Sequence, residues 1–149
     1  MTDILFYQLL DKRLDEVLPD LLEKCVARKW RAVVHGGSEE RMEALNNALW
    51  TYRDDSFLPH GTATDGNAEA QPVFLTADGN NPNKAIVRFL VDGATIDDAA
   101  AYERVVYIFD GNDPDALASA RNRWKIEKAA GHAITYWAQD ETGHWVKKA

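Results

Sequence analysis

Residues 4–52 decide the fold of this chain, and they read ILFYQLLDKRLDEVLPDLLEKCVARKWRAVVHGGSEERMEALNNALWTY. The apolar run from Ile4 to Leu9 has the length of a strand, and apolar residues then recur at helical spacing over residues 14–26. Pro19 lies within that helical pattern. We therefore predict that the helix begins near Glu16, because a proline in the first turn has no hydrogen bond to lose.

The same order of elements then repeats. Trp30 to Val34 is predicted to be a second strand, and His35-Gly36-Gly37-Ser38 is predicted to be a turn with Ser38 as the N-cap. A second helix follows, with its apolar stripe at Met42, Leu45, Leu49 and Tyr52. Strands that alternate with helices predict an α/β fold: a three-layer α/β/α single domain over residues 1–149, with a mostly parallel, mixed sheet.

The middle of the chain is predicted to hold a surface loop and two strands. Residues Arg53 to Gln71 are rich in Asp, Gly, Thr and Asn, a composition typical of a loop. Pro72 to Ala77 and Ala85 to Val91 are strand-like, and the turn-rich residues 78–83 between them are too few for a crossover helix. We therefore expect these two strands to be antiparallel neighbours.

The last third predicts a central strand, a capped helix and an edge hairpin. Val105 to Phe109 is wholly apolar, which is typical of a central strand. Asp113 and Pro114 form a helix start, and Gly131 suits the end of that helix. The final strand is predicted at Ala133 to Ala138, and Gly143 to Lys148 would add a short hairpin at the edge.

Composition and charge exclude several classes of protein. The 149 residues contain 17 basic and 24 acidic side chains, for a formal net charge of −7, which argues against direct nucleic-acid binding. No apolar run is long enough to span a membrane. The lone Cys25 and an N-terminus without a basic, apolar signal favour a cytoplasmic protein.

Enzyme motifs are missing from the sequence. Gly36 and Gly37 could bring backbone N–H groups close to a phosphate, but neither a GxGxxG pattern nor a P-loop lysine is present. A nucleotide- or phosphate-binding enzyme that uses this turn stays open as the alternative function. The four histidines lack a metal-ligand spacing and no serine lies in a GxSxG elbow, so we predict no catalytic residue, metal or cofactor.

The last helix carries a candidate binding face. Arg121, Trp124, Lys125 and Lys128 are spaced i, i+3, i+4 and i+7 and share one side of the helix, whereas Arg123 lies off it. Residues 121–128 hold four basic side chains and one acidic, while residues 92–115 hold seven acidic and one basic. This face suits an acidic peptide or a terminal carboxylate.

Two further interpretations of the last helix remain open at this point. The cations can simply complement the helix dipole while the tryptophan packs on the sheet. Direct DNA binding by Arg121, Arg123, Lys125 and Lys128 is the third possibility, and it conflicts with the net charge.

A second candidate surface lies near Trp50. This side chain is offset by about 100° from the preceding Leu49 and so points away from the apolar stripe. Phe57, Pro59 and His60 follow in the predicted loop, and an exposed aromatic patch of this kind is typical of a protein-binding site. A small satellite core beneath the loop is the alternative.

Two blocks of sequence resemble the chi subunit family of bacterial DNA polymerase III. The first is Ala48-Leu49-Trp50 with Ser56-Phe57-Leu58-Pro59-His60, and the second is Ala120-Arg121-Asn122-Arg123-Trp124-Lys125 with Ala130-Gly131. The resemblance implies a nucleotide-binding type of fold without a nucleotide site. It also implies a non-catalytic accessory subunit of the clamp-loader complex that links the replicase to single-stranded-DNA-binding protein.

The resemblance also implies roles for particular residues. Arg121 would pair with the terminal carboxylate of the binding protein's acidic tail, Trp124 would wall an apolar pocket and Lys125 would meet upstream aspartates. Trp50 and Phe57 would belong to a docking surface for a psi subunit or a helicase. Leu117 stands where a lysine is familiar in the family, which removes one electrostatic contact, and the segment after Trp137 is longer than in short members.

Overall fold

A computed structural model describes residues 2–10, 12–51, 60–62, 68–96 and 98–148. Three helices occur in these ranges: α1 (Leu14–Ala27), α2 (Glu39–Thr51) and α3 (Pro114–Ala129). The eight strands are β1 (Asp3–Leu9), β2 (Ala32–His35), β3 (Gly61–Thr62), β4 (Val73–Thr76), β5 (Val87–Leu90), β6 (Arg104–Asp110), β7 (Ala133–Gln139) and β8 (Trp145–Lys147).

All eight strands form one sheet in the order β3-β4-β2-β5-β6-β1-β7-β8. Neighbouring strands are parallel except β7 and β8, which pair antiparallel at one edge. The predicted hairpin at Gly143 to Lys148 is confirmed by this pair, and the predicted central strand Val105 to Phe109 is confirmed by β6. The mostly parallel, mixed α/β architecture predicted from the sequence is therefore correct.

The sheet separates two apolar layers. One layer joins the inward residues of α1 and α2 to one face of the strands, and it includes Leu18, Leu45 and Phe89. The other joins α3 and the segments near Ile96 and Tyr102 to the opposite face. Alternate residues of each strand supply the two layers, as the two-residue period of a strand requires. These layers put α3 alone among the three helices on its side of the sheet.

The predicted pairing of Pro72–Ala77 with Ala85–Val91 is wrong. β4 and β5 do not pair with each other; they lie on either side of β2, and both are parallel to it. The prediction assumed that a parallel crossover needs a helix. Residues 77–86 cross instead as a non-helical segment on the α3 side of the sheet, because the buried Arg88 satisfies part of its backbone.

Arg88 donates hydrogen bonds to backbone carbonyl oxygens of this connection, which in a crossover helix would be bonded within the helix. It is fully buried. Its guanidinium donates to the carbonyl oxygens of Asp78 and Asn80 at 2.7 Å and 3.2 Å. It also contacts Tyr102 Oη and His35 Nδ1, each at 2.8 Å. Asp78 and Asn80 are exposed residues, so the two bonds to their carbonyl oxygens attach the outer turn of the connection to the buried guanidinium. A short connection can therefore cross β2 without a helix.

The helix starts agree with the sequence in one case and differ in another. Asp113 caps α3, since its side chain accepts from the backbone N–H groups of Asp115 and Ala116. Helix α1 begins at Leu14, with Arg13 as N-cap, rather than near Glu16. Glu16 accepts from the Arg13 backbone N–H at 3.2 Å, which favours the earlier start. Pro19 is consequently the sixth residue of the helix rather than part of its first turn.

The region predicted as a loop, Arg53 to Gln71, contains regular structure. Gly61–Thr62 forms the short parallel strand β3 beside β4, and residues 68–70 form a 3₁₀ turn. At the other end of the chain, Gly131 has a φ of +86°, which is the left-handed conformation expected of a glycine just after a helix.

Candidate functional site

The outer face of α3, defined by Arg121, Trp124, Lys125 and Lys128, carries exposed cations around an aromatic ring. Arg121, Lys125 and Lys128 are exposed, and Trp124 is half-buried. The Lys128 ammonium lies 4.6 Å from the centroid of the Trp124 ring. None of the three cations has a carboxylate within 4.0 Å among the described residues. Their charges are therefore available to an anionic ligand.

Arg123 faces the opposite way, into the protein. Its Nε donates to Tyr107 Oη at 2.8 Å, and its Nη2 lies 2.8 Å from Glu127 Oε1. The same group donates to the Ile96 carbonyl. The side chains of Arg123 and Glu127 are only 15% and 4% exposed. Since this pair neutralises itself, the whole local charge of +3 lies on the outer face.

An apolar surface adjoins these cations. Trp124 packs on the core layer beneath α3, and so do the half-buried Phe109, Ile134 and Tyr136. The rings of Phe109 and Tyr136 meet edge to face, with centroids 6.1 Å apart. Strand β7 therefore continues the aromatic surface of the helix, and it provides a wall against which an apolar side chain can pack.

Tyr136 links that wall to the cations. Burial raises the pKa of the Tyr136 hydroxyl, and the positive charge of Arg121 partly opposes this rise. The hydroxyl donates to Gln8 Oε1. Tyr136 therefore stays neutral at physiological pH, and Arg121 lies near enough to influence it. The arrangement places a guanidinium beside an aromatic surface, which suits a ligand that combines a carboxylate with an aromatic or apolar group.

The second predicted surface is described only in part. Trp50 is 49% exposed, while Met42, Leu45 and Leu49 of the same helix are buried, as its predicted orientation requires. The His60 ring lies 4.2 Å from the Trp50 ring, between centroids, and His60 Nε2 is 3.1 Å from the Asn46 carbonyl oxygen. Phe57 and Pro59 lie outside the described residues. His60 is buried beneath the Trp50 ring, with only 4% of it exposed, so among the described residues Trp50 alone represents the predicted surface.

The Gly36-Gly37 turn is filled by the protein's own side chains. A Cβ placed on Gly36 would lie 2.1 Å from Met42 Cε and 3.2 Å from Asp92 Oδ2. Asp92 also pairs with Arg41 of α2, each of its carboxylate oxygens 3.2 Å from a guanidinium nitrogen. Gly36 is thus explained by close packing, and the negatively charged Asp92 carboxylate lies beside the turn.

A cavity at the carboxyl ends of β1, β5 and β6 is the feature that the sequence did not indicate. It has a volume of about 810 Å³ and lies where open α/β sheets usually bind ligands. Its lining includes four aspartates, Asp92, Asp110, Asp113 and Asp115. Four cations of the same lining, Lys12, Arg13, Arg41 and Arg123, balance these carboxylates, so the formal charge of the lining is zero.

Other reactive groups give no catalytic arrangement among the described residues. Burial raises the pKa of the Cys25 thiol to about 11, so the thiolate needed of a nucleophile is scarce at neutral pH. Within the described ranges, no three His, Cys, Asp or Glu side chains are grouped so that they could hold a metal ion. No helix in the same ranges is long and apolar enough to cross a bilayer.

Fold and surface together define a mixed α/β protein with a basic, aromatic face on its last helix. Residues 1–135 match the family described as DNA polymerase III chi subunit, HolC. The chain is also similar to the probable DNA polymerase III subunit chi of Rickettsia prowazekii (strain Madrid E), with 30% identity over 139 residues that cover 87% of this chain and 81% of that protein. The chain belongs to the DNA polymerase III chi subunit family.

Proposed function

We propose that this chain is a non-catalytic subunit of the clamp-loader complex that links the replicase to single-stranded-DNA-binding protein. Membership of the chi family supports a role as an accessory subunit in DNA replication. The raised pKa of the Cys25 thiol favours a structural cysteine over a nucleophile. A lone, buried cysteine is also in keeping with work in the reducing cytoplasm.

The ligand of the outer face of α3 is the acidic C-terminal tail of single-stranded-DNA-binding protein. Arg121 pairs with the terminal carboxylate, because its exposed guanidinium has no carboxylate partner among the described residues and can form a two-pronged contact. Trp124 and the adjoining Tyr136 pack against the apolar end of the tail. Lys125 and Lys128 attract acidic residues further upstream.

The single observation that carries this proposal is the division of charge on α3. Arg123 and Glu127 neutralise each other inside the protein, so every remaining charge of residues 121–128 is positive and points outward. A helix whose cations served only its own dipole would need them in its last turn. Arg121 lies two turns before the end of α3, where the dipole effect has faded.

The Trp50 surface binds a second protein, either a psi subunit or a helicase. A tryptophan that is 49% exposed presents a large apolar area to solvent, as the centres of protein-binding surfaces do. Trp50→Ala should weaken that association and leave tail binding unchanged. Co-purification from cells that express tagged wild-type or variant protein tests this, and equal recovery of partner proteins with both would contradict it.

Tail binding is tested with a synthetic acidic peptide that ends in Pro-Phe. We expect a micromolar Kd for the wild type, which corresponds to about −8 kcal/mol. Arg121→Gln should weaken binding by about tenfold or more, because a charge-assisted hydrogen bond contributes about 1.5–3 kcal/mol. Isothermal titration calorimetry measures both.

Two controls make the assignment specific. Arg13→Gln alters an arginine whose side chain is 78% exposed at the start of α1, so it should bind the peptide like the wild type. A peptide whose C-terminus is amidated should lose affinity for the wild type and lose little further for Arg121→Gln. Equal affinities of wild type and Arg121→Gln for the free-acid peptide would refute the role of Arg121.

The nucleotide-binding alternative has its own test. If it were correct, ATP, GTP or a dinucleotide at 100 times its Kd would raise the free energy of unfolding by about 2.7 kcal/mol. We expect no such rise, since Asp92 occupies the space beside Gly36. A nucleotide-dependent increase in Tm that Gly37→Ala abolishes would revive the alternative.

A further inference from the structure

A second cluster of cations surrounds Trp30, at the edge of the sheet where the parallel strands begin. The Arg28 and Arg104 guanidinium carbons lie 5.0 Å and 4.8 Å from the centroid of the Trp30 ring. Arg28 follows α1, whereas Arg104 begins β6, so the two guanidiniums come from distant parts of the chain. We call Lys24, Arg28, Lys29, Trp30 and Arg104 the Trp30 cluster.

The end of α1 fixes the position of the tryptophan. The Trp30 backbone N–H donates to the Cys25 carbonyl, and the Lys29 N–H donates to that of Val26, each at 2.9 Å. This is the Schellman pattern, which usually has glycine where Lys29 stands with a φ of +61°. The turn holds Trp30 half-buried against the helix end, and the ring in turn restrains both guanidiniums through cation–π contacts.

The charge of this region is strongly one-sided. Residues 24–31 contain Lys24, Arg28, Lys29 and Arg31 and no acidic residue. The acidic residues that begin neighbouring strands or precede them are Asp3 and Glu103, and Glu23 directly precedes this stretch on α1. Arg31 donates to the Glu69 and Asn83 carbonyl oxygens, so the Trp30 cluster itself contributes four cations. Within the described ranges, neither Arg28 nor Arg104 has a carboxylate within 4.0 Å. Among the described residues, these two restrained guanidiniums therefore have no carboxylate counter-ion.

We propose that the Trp30 cluster is a docking surface for the phosphate backbone of single-stranded DNA. Guanidinium groups bind phosphate through paired N–H donors, and restraint by the ring lowers the entropy lost when they do so. A single strand is flexible enough to bring successive phosphates to the cations around one indole. The site is separate from the outer face of α3 and does not depend on tail binding.

This proposal departs from the expectation that the net charge of −7 excludes nucleic acid. Salt screens charges beyond about 8–10 Å at physiological ionic strength, so a bound strand responds mainly to the charges nearest to it. Around Trp30 those charges are positive. The acidic residues of 92–115 that dominate the sum include several at the carboxyl ends of the strands, which is the opposite edge of the sheet.

The salt dependence of binding gives a quantitative test. A fluorescent oligo(dT) is titrated with the full chain, and its anisotropy is followed at about 50 mM and about 200 mM NaCl. If the four cations of the Trp30 cluster contact phosphates, the affinity should fall about 50-fold between these concentrations. The variant R28Q/R104Q should bind at least tenfold more weakly at low salt, and its affinity should fall only about sevenfold.

Matched controls distinguish the Trp30 cluster from the outer face of α3. The variant R121Q/K125Q removes two cations from that face and should bind oligo(dT) like the wild type. The variant R28K/R104K keeps both charges but loses the paired donors, so it should keep the wild-type salt dependence and bind more weakly. Circular dichroism and Tm verify that each variant is folded. No binding by the wild type at low salt, or an equal loss in R121Q/K125Q, would overturn the proposal.

Two competition arms test the choice of ligand. An aspartate-rich peptide of the same charge that displaces oligo(dT) at equal concentration would show that the Trp30 cluster is a protein-binding surface instead. A duplex of the same length that binds more tightly would refute the preference for a single strand. We expect the peptide to compete poorly and the duplex to bind more weakly.

Discussion

The two sides of α3 use the same kind of residue for different purposes. On the inner side, Arg123 is 15% exposed and bonded to Tyr107, the Ile96 carbonyl and Glu127. On the outer side, Arg121 is exposed and has no carboxylate partner among the described residues. Burying an arginine is costly unless its donors are satisfied, so the inner arginine stabilises the fold. The outer arginine is free to bind a ligand.

Arg88 is a second inward-facing arginine and can be compared with Arg123. It lies in the same layer, fully buried, and it holds the connection between β4 and β5. Arg88 and Arg123 should therefore matter to stability, and Arg121 to binding. The following predictions test that division, from the largest expected change in the free energy of unfolding to the smallest.

Arg88→Met should cause the largest loss. It leaves the buried Tyr102 hydroxyl and His35 ring nitrogen, and the part-buried Asp78 and Asn80 carbonyls, without their donor, and each buried group left unsatisfied costs about 1–3 kcal/mol. Urea unfolding followed by circular dichroism measures the change. Arg121→Met is the matched exposed substitution and should stay within about 0.5 kcal/mol of the wild type. Similar losses in both variants would refute the distinction between inner and outer arginines.

Arg123→Met should have an intermediate effect of about 2–3 kcal/mol, because a buried carboxylate at Glu127 loses its counter-ion. Glu127→Gln keeps the shape and removes that charge. The double variant Arg123→Met/Glu127→Gln should therefore lose less stability than the two single losses added together. The difference, which is the coupling free energy of the pair, should be about 0.5–3 kcal/mol. Strict additivity would show that the two side chains do not act as a pair.

The smallest expected effect is a dependence of stability on pH through His35. Burial lowers the pKa of His35, and the neighbouring Arg88 lowers it further. Below pH about 6.5, the ordinary pKa of histidine, the unfolded chain therefore binds more protons than the folded one. The free energy of unfolding consequently falls as the pH drops from about 6.5 toward the lowered pKa of His35 in the folded state. The slope cannot exceed about 1.4 kcal/mol per pH unit for one proton.

Unfolding free energies at pH 7.5 and 5.5 measure this effect. His35→Gln keeps an acceptor for Arg88 and lacks the titrating ring, so its stability should change less over this interval than that of the wild type. His144→Gln, at an exposed position in the β7–β8 turn, is the matched control and should retain the wild-type dependence. A wild type whose stability rises on acidification would contradict the assigned direction of the pKa shift.

Local patterns predicted much of this fold. The α1 and α2 stripes, the Asp113 cap and the β7–β8 hairpin follow from spacing, turn residues and caps, which act between near neighbours. The pairing of β4 and β5 was wrong because it depends on Arg88, whose buried partners lie elsewhere in the chain. No periodicity distinguishes a buried arginine from an exposed one.

The candidate sites show the same division between what local sequence patterns predict and what only the folded chain brings together. The outer face of α3 could be predicted from helical spacing alone, and the i, i+4 spacing of Arg123 and Glu127 was a visible signal of the inner pair. The Trp30 cluster could not be predicted in this way. Arg104 reaches the ring from β6, so only the folded sheet brings it beside Arg28.

The interior position of β1, between β6 and β7, has a consequence for the order of events during synthesis. Ile4 leaves the ribosome early, yet its neighbours in the sheet are Val105 and Ile134. β1 cannot pair with its neighbours until most of the chain has been synthesised, and until then its apolar residues stay exposed to chaperones or to other nascent chains. Ribosomes stalled before β7 should therefore carry a protease-sensitive chain, even though α1 and α2 are complete.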